Sequence, residues 1–568
     1  MTLYATGADL SRTSDVWWKN AVFYCLDVET FQDGNGDGFG DFVGLERRID
    51  HLAGLGVTCI WLMPFYPTPN RDDGYDIVDY YSVDPRLGSI GDLVQFVRTA
   101  GDRGIRVIAD LVVNHTSAQH PWFRSARSDR NSPYRDWYVW RDEIPADGSE
   151  GLVFPDAEDS NWEWDEEAGQ YYLHRFYRHQ PDLNIANPEV RGEIRKIVGF
   201  WLQVGLSGFR VDAVPFLLET DGLASGTDIV PHDWLRDLRS FIGRRRGDAM
   251  LLGEVNLEYE DVRRFFGDEG GDELDMCLDF NLNQALALAL VREDAGTLVH
   301  AMRAMPALHA DDSWAHFARN HDEWSLDKLT EAERQEVFAA FGPKEEMQLF
   351  GRGLRRRIPT MLGGDEARIR MLYSLVFSLP GAPVLFYGEE IGMAENLEIE
   401  GRMSVRTPMQ WSDGPNGGFS TVGPEELRRP VVGARGWGPD KINVARQERE
   451  PGSMLNWTER LIRRRRKTPE IAFGDWSFVP FPDASILALR YDWGSRLIVV
   501  VHNLADKRIS TQCTPTDADG WSGIECLFGT CSAEVTKNGD LAVEAPPYGH
   551  GWFRIALDPP RDLSSAVK

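Results

Sequence analysis

Over roughly its first 400 residues the chain alternates short apolar runs with amphipathic helical patterns, and this restricts the fold more than any other feature. Eight runs qualify as strands: 21–28, 57–65, 105–113, 206–213, 249–255, 273–282, 314–320 and 382–387. Each is short and nearly continuous in apolar residues, as strands of a doubly covered parallel sheet are. The intervening helices are well punctuated. Asn187 offers an N-cap and Pro188 an N1 proline, and Ile194, Ile197, Val198, Trp201 and Leu202 then recur with helical spacing up to Gly205. Leu93, Val94, Phe96, Val97 and Ala100 repeat the pattern after Ser89. Eight such units predict an α/β fold, a (β/α)8 TIM barrel rather than an open doubly wound sheet, with reacting groups at the C-terminal strand ends.

Four runs close on polar segments at those ends: DLVVNH (110–115), GFRVDAVP (208–215), GEVN (253–256) and ARNHDE (318–323), on strands three, four, five and seven. Singly, an Asp at a strand end is a cap or an ion-pair partner, and a lone His a packing residue. Together, Asp212, Glu254 and Asp322 supply what retaining chemistry at a sugar's anomeric carbon requires: a carboxylate to attack, an acid to protonate the departing oxygen, and an anion to stabilise the oxocarbenium-like transition state. Arg210 shares a strand face with Asp212, and its charge is expected to lower that carboxyl's pKa. Glu254 needs a desolvated site that raises its own.

The alternation has two breaks. Residues 116–184 form a long polar insertion containing Trp122, Trp137, Trp140, Trp162 and Trp164, which are expected mostly to build its own small core. A second insertion, about 324–367, reads as helical. The expected division is a barrel over 1–115 and 185–465, the inserted domain over 116–184, and a C-terminal domain over 466–568. In the last, alternating runs at 485–491 and 495–502 flank an Asp492-Trp493-Gly494-Ser495 turn and predict an antiparallel β-sandwich. The basic run Arg463–Lys467 continues a helical pattern and is expected to be a solvated face.

A formal charge of −28 argues against nucleic acid or an anionic membrane as partner. The start of the chain lacks a basic-then-apolar leader pattern, and no run of about 18 apolar residues occurs. The six cysteines show no metal-ligand spacing, and Cys25, Cys59 and Cys277 lie in strand-like runs that suit buried thiols. These features lead to an expected place in a reducing cytoplasm. Oligomeric state stays open, a homo-oligomer included.

The loop DGNGDGFGD (33–41) offers oxygen ligands at Asp33, Asn35, Asp37 and Asp41, with the Phe39 carbonyl between them. Position twelve is Gly44 rather than a bidentate Glu, so this is no EF-hand. A structural Ca2+ or Mg2+ is the expectation and an Asx-turn the alternative; no organic cofactor is expected.

These segments, with GVTCIWLMPF (56–65), QPDLN (180–184) and GAPVLFYGEEIGM (381–393), resemble the α-amylase superfamily, glycoside hydrolase family 13, over nearly the whole chain. The resemblance implies that Asp212 is the nucleophile forming a β-glucosyl-enzyme, Glu254 the acid and then base, and Asp322 the transition-state stabiliser. It implies that His115 and His321 bond sugar hydroxyls, and that Tyr75 stacks on the ring while Asp72 and Arg406 hold the non-reducing end, which selects small saccharides. It also implies a second metal site at Asn114 and Asp182. Stretches such as FYPTPNRDDGYD (65–76) and RNHDEWSL (319–326) resemble the branch of trehalose synthases and oligosaccharide α-glucosidases. Ala213 departs from the valine of α-1,6-specialised relatives. GEVN, 275–290 and 430–443 depart from the mutase pattern where an acceptor would bind. The expected function is therefore glucosyl transfer or mutation of maltose or trehalose, with α-glucoside hydrolysis as the alternative and a non-catalytic binding barrel as a third reading.

Overall fold

The eight apolar runs become eight strands of a closed parallel barrel in the computed structural model, which describes residues 15–146, 148–218, 231–267, 271–515 and 521–557. They are β1 (Phe23–Leu26), β2 (Cys59–Leu62), β3 (Arg106–Leu111), β4 (Gly208–Val211), β5 (Met250–Gly253), β6 (Met276–Leu278), β7 (Ser313–Phe317) and β8 (Ala382–Phe386). They pair in chain order, and β8 closes on β1 with Val384 opposite Phe23. Apart from Arg106, every strand residue is buried, which explains why the runs read as continuous rather than alternating. At the foot of β4 a Cβ on Gly208 would lie 2.2 Å from Met250 O, so only glycine lets β4 and β5 approach there.

The helices follow their punctuation. In α1 (Ile90–Asp102) the Ser89 hydroxyl accepts from Asp92 N and the Asp92 carboxylate accepts from Ser89 N, satisfying two N–H groups the first turn would leave orphaned. In α2 (Pro188–Val204) Asn187 caps Glu189 N, and Val190, Ile194, Ile197, Val198, Trp201 and Leu202 are buried. Burial of each large apolar side chain contributes about 1.5–3 kcal/mol, far more than the cap at about 1 kcal/mol, so packing fixes α2 and the cap fixes where it starts.

Residues 116–184 carry a helix (Pro121–Ser128) and a three-stranded antiparallel sheet ordered 140–141, 170–173, 162–165. Trp122 packs edge-on against Trp137 at 4.7 Å and Trp140 stacks on Phe123 at 5.5 Å, so these indoles build the insertion's core as expected. The second insertion differs from its helical expectation. It holds a helix, α3 (Glu331–Phe341), two single turns (Glu345–Met347 and Ile358–Met361), and a miniature sheet joining 324–325, 353–354 and 348–349. The two-residue strands are too short for period-two alternation to show in sequence.

Past α4 (Met454–Arg466), a five-stranded sheet ordered 475–478, 486–493, 496–503, 550–557, 521–529 faces a three-stranded sheet ordered 509–513, 541–545, 532–535. Val499, Val501 and Phe553 of the first pack with Ile509, Leu541 and Val543 of the second. Gly494, at φ +58, makes the hairpin turn between Trp493 and Arg496. The basic run is not wholly solvated. Arg465 is fully buried, its Nη1 donating to Asn20 Oδ1 and its Nη2 to Gly381 O, each at 2.7 Å, because its helical position faces the barrel. Among the described residues the six cysteines are free, with Cys526 exposed and the rest buried, and no helix is long and apolar enough to cross a membrane.

Candidate active site

Strand register delivers the two central carboxylates side by side. Val211 of β4 pairs with Gly253 of β5, so the next residues, Asp212 and Glu254, emerge together at the C-terminal rim. Asp110 of β3 pairs with Arg210 of β4. Arg210 Nη1 donates to Asp110 Oδ1 at 2.7 Å and Asp212 Oδ1 at 2.5 Å, while its Nη2 lies 2.7 Å from Glu254 Oε2. One buried guanidinium thus serves three acids. Sharing it brings Asp212 and Glu254, the two carboxyl groups that glycoside chemistry calls for, to one cation. Beyond Asp212 the chain turns through Ala213 at φ +50, and the Ala213 N–H donates to Glu254 Oε2 at 3.1 Å.

Asp322 stands in the loop after β7. Its Oδ1 accepts from Arg402 Nη1 at 2.6 Å and Arg406 Nη2 at 2.9 Å, and its Oδ2 lies 3.1 Å from His321 Nε2. That nitrogen is also 2.7 Å from the Tyr75 hydroxyl, and the Tyr75 and His321 rings lie nearly parallel.

The electrostatics divide the acids by role. Burial pushes Glu254 up to about 7 against the opposing pull of Arg210, so near neutrality it retains a proton to give. Burial also pushes Asp212 up to about 6. Arg210 lowers it as expected, but removal from water outweighs the guanidinium, which limits the rise without reversing it. Asp322 goes the other way. Burial raises it, but the guanidiniums of Arg402, Arg406 and Arg210 together hold its carboxyl well below the usual range. Burial lowers His321 far below its ordinary value and His115 to about 4, so both rings are neutral.

A cavity of about 390 Å3 opens above these groups. Asp72, Tyr75, His115, Asp212, Glu254 and Asp322 border it. Asp72 accepts from Gln180 Nε2 of the inserted domain at 2.9 Å, and burial pushes its pKa up to about 6. His115 Nε2 donates to Tyr75 O at 3.2 Å, so this ring is pinned by the protein as well as facing the cavity. Arg210, His321 and Arg406 stand behind the wall, fully or almost fully buried. Arg406 bonds His321 O, Asp73 Oδ2 and Asp322 Oδ1, whereas the arginine that reaches the cavity is Arg402. A short 3-10 turn, Gly401–Val405, carries Arg402 and ends at Arg406, and turn geometry rather than residue type decides which faces inward. Phe154, Phe176, Phe216 and Phe280 complete the wall beside Glu254, together with Asn256, Asp327 and Arg352, none of which sequence reasoning singled out as site residues. The five insertion tryptophans do not border it.

The residues of both expected metal sites have partners within the protein. In the 33–41 loop Asp33 accepts from Asn35 N, Gly36 N, Gly38 N and Ser420 Oγ, Asp41 from Gly34 N, Asn35 N and Gly44 N, and Asp37 from Asn35 Nδ2 and Phe39 N. The carboxylates accept the loop's own N–H groups, the pattern of linked Asx-turns that the sequence offers as the alternative to a cation site. At the second site Asp182 is paired with Arg175 Nη1 at 2.8 Å, and Asn114 Nδ2 turns to His115 Nδ1 at 3.5 Å, so a guanidinium already supplies the positive charge. Among the described residues no group of three or more His, Cys, Asp or Glu side chains is placed to hold a metal ion.

A closed parallel barrel with an acid poised near 7 beside a guanidinium-bound carboxylate, at the rim where strands four and five end, defines a retaining glycoside-active enzyme. Residues 28–474 match the alpha-amylase family, described as the alpha amylase catalytic domain. The chain belongs to this family. It is 38% identical over 552 residues to a trehalose synthase of Pimelobacter sp., covering 95% of this chain and 96% of that one. It is 30% identical over 587 residues to a probable alpha-glucosidase of Rhizobium meliloti, covering 98% and 100%. Among solved structures it resembles the trehalulose synthase MutB from Pseudomonas mesoacidophila, with a TM-score of 0.74, 27% identity, and 95% and 99% of the two chains covered.

Proposed function

We propose that this enzyme is an intramolecular α-glucosyl mutase of the trehalose-synthase kind, interconverting maltose and trehalose through a β-glucosyl-enzyme. The observation that carries the reading is the shared guanidinium of Arg210, which sets Asp212 and Glu254 side by side in a walled cavity that Asp72, Tyr75, Arg402, Asn256 and Asp327 also line. Asp212 attacks the anomeric carbon as Glu254 protonates the glycosidic oxygen. The C–O bond breaks, and glucose leaves with that proton while its partner glucosyl stays esterified to Asp212. Glu254, now anionic, takes a proton from a hydroxyl of the reoriented glucose, which attacks the anomeric carbon and releases Asp212. Asp322, ionised throughout, faces the developing positive charge.

Hydrolysis is the second reading, favoured by specific changes on the acceptor side. Of the three stretches that depart from the mutase pattern, 275–290 places Phe280 in the wall, whereas the changed residues of GEVN, Gly253 and Val255, and all of 430–443 stay clear of it. The free cysteines support a reducing compartment, the cytoplasm. Incubation with maltose, trehalose and sucrose separately, followed by proton NMR of all products, tests the readings. The mutase reading expects trehalose from maltose; stoichiometric free glucose with no non-reducing disaccharide would replace it with hydrolysis.

A further inference from the structure

Two insertions that are far apart in sequence meet over the cavity. Arg352, after β7, donates through Nη2 to Val153 O of the domain inserted after β3 at 2.6 Å, a contact spanning 199 residues. Beside it the Phe350 ring lies 5.0 Å from that of Phe154. The Arg402 guanidinium sits 5.1 Å from the Phe154 centroid and 5.8 Å from that of Phe350, so it is gripped between the two loops. Its other contacts are Asp322 at 2.6 Å and Glu323 at 3.3 Å. The tip that presents these groups runs through Phe350 at φ +55 and Gly351 at φ +61. A phenylalanine held in the left-handed region is strained, and such strain persists only where surrounding contacts enforce it.

We propose that Arg352 is a positioning residue that latches the two insertions over the released sugar and so decides whether the glucosyl-enzyme is captured by that sugar or by molecules from bulk solvent. This rests on the mutase reading above. A charge-assisted bond to a backbone carbonyl suits a reversible closure: it forms without a specific side chain on the other loop and breaks without leaving a buried charge unpaired. Closure is also felt at the reacting centre, because the arginine gripped by the loops is one of the two that bond Asp322.

The test adds 13C-glucose to unlabelled maltose and reads label in trehalose together with free glucose. Wild type is expected to exclude label. Arg352→Ala is expected to raise labelled trehalose and the hydrolysed share each at least fivefold, while KM for maltose and total maltose consumption stay within threefold, and Arg352→Lys is expected to restore most of the exclusion. Phe350→Ala, which leaves Arg352 in place, is expected to shift the partition the same way, and serves if Arg352→Ala does not fold. Unchanged partition in both variants, or a raised KM with unchanged partition, overturns the latch and leaves the mutase reading standing. A wild type that makes only free glucose overturns both.

Discussion

The floor and the roof of the cavity are built on different principles. The floor is borne by strands: Asp110, Arg210, Asp212 and Glu254 lie on or one residue beyond β3, β4 and β5, where parallel register fixes their neighbours. The roof is borne by loops, in which Val153, Phe154, Phe350 and Arg352 owe their places to contacts between two insertions. On the readings proposed above, a strand-borne base carries the bond-breaking step, while the groups that choose what receives the glucosyl unit sit on loops. Such a division allows acceptor choice to change without loss of cleavage.

The sharpest way to break this comparison is at the floor. Asp212→Asn should lower kcat/KM on any α-glucoside by about 10^4-fold or more, measured by initial rates, whichever acceptor is used. If cleavage persisted, the nucleophile would lie elsewhere. Arg210→Ala should abolish activity too and, by stranding three buried carboxylates, lower unfolding free energy by about 3–5 kcal/mol in urea titrations. A stable variant would mean that the acids do not depend on their common cation.

The pH profile should be a narrow bell. Below about 6 Asp212 takes up a proton and loses its nucleophilicity, and above about 7 Glu254 loses the proton it must donate, so kcat/KM peaks between the two and falls on both sides. A plateau extending two pH units above 7 would exclude Glu254 as the acid. At the roof side effects should be smaller. Asn256 Nδ2 donates to Asp327 at 3.1 Å, and Asn256→Ala should alter the ratio of disaccharide to free glucose several-fold while maltose consumption changes about threefold or less. Cleavage falling as far as in Asp212→Asn would erase the distinction between floor and roof. The smallest effect concerns the 33–41 loop: since its carboxylates are occupied by its own N–H groups, neither EDTA nor millimolar Ca2+ should move the melting temperature. A clear rise with Ca2+ would restore the cation site.

The same contrast explains what the sequence discloses. The eight strands, α2 with its Asn187 cap and Gly205 stop, and the three acids are legible because each depends on local periodicity or on position at a strand end. Arg402 is not, since a 3-10 turn rather than residue type selects it over Arg406. Phe350 and Arg352 are illegible for another reason: their partners lie about 200 positions away, and no periodicity reports a contact between loops. Arg465 shows the limit of charge patterning, because one member of a basic run turns inward to bond Asn20 and Gly381.

Ala213 carries a consequence for how this enzyme can diverge. Its left-handed backbone lets its amide reach the acid of the reacting pair. Alanine already bears strain of about 1–3 kcal/mol at that conformation, and a β-branched side chain would add to it. Descendants that acquire valine there, the residue of α-1,6-specialised relatives, must therefore first accumulate stability elsewhere or relax the turn and surrender the amide's grip on Glu254. Evolution toward a new linkage is gated by the backbone as much as by the shape of the cavity.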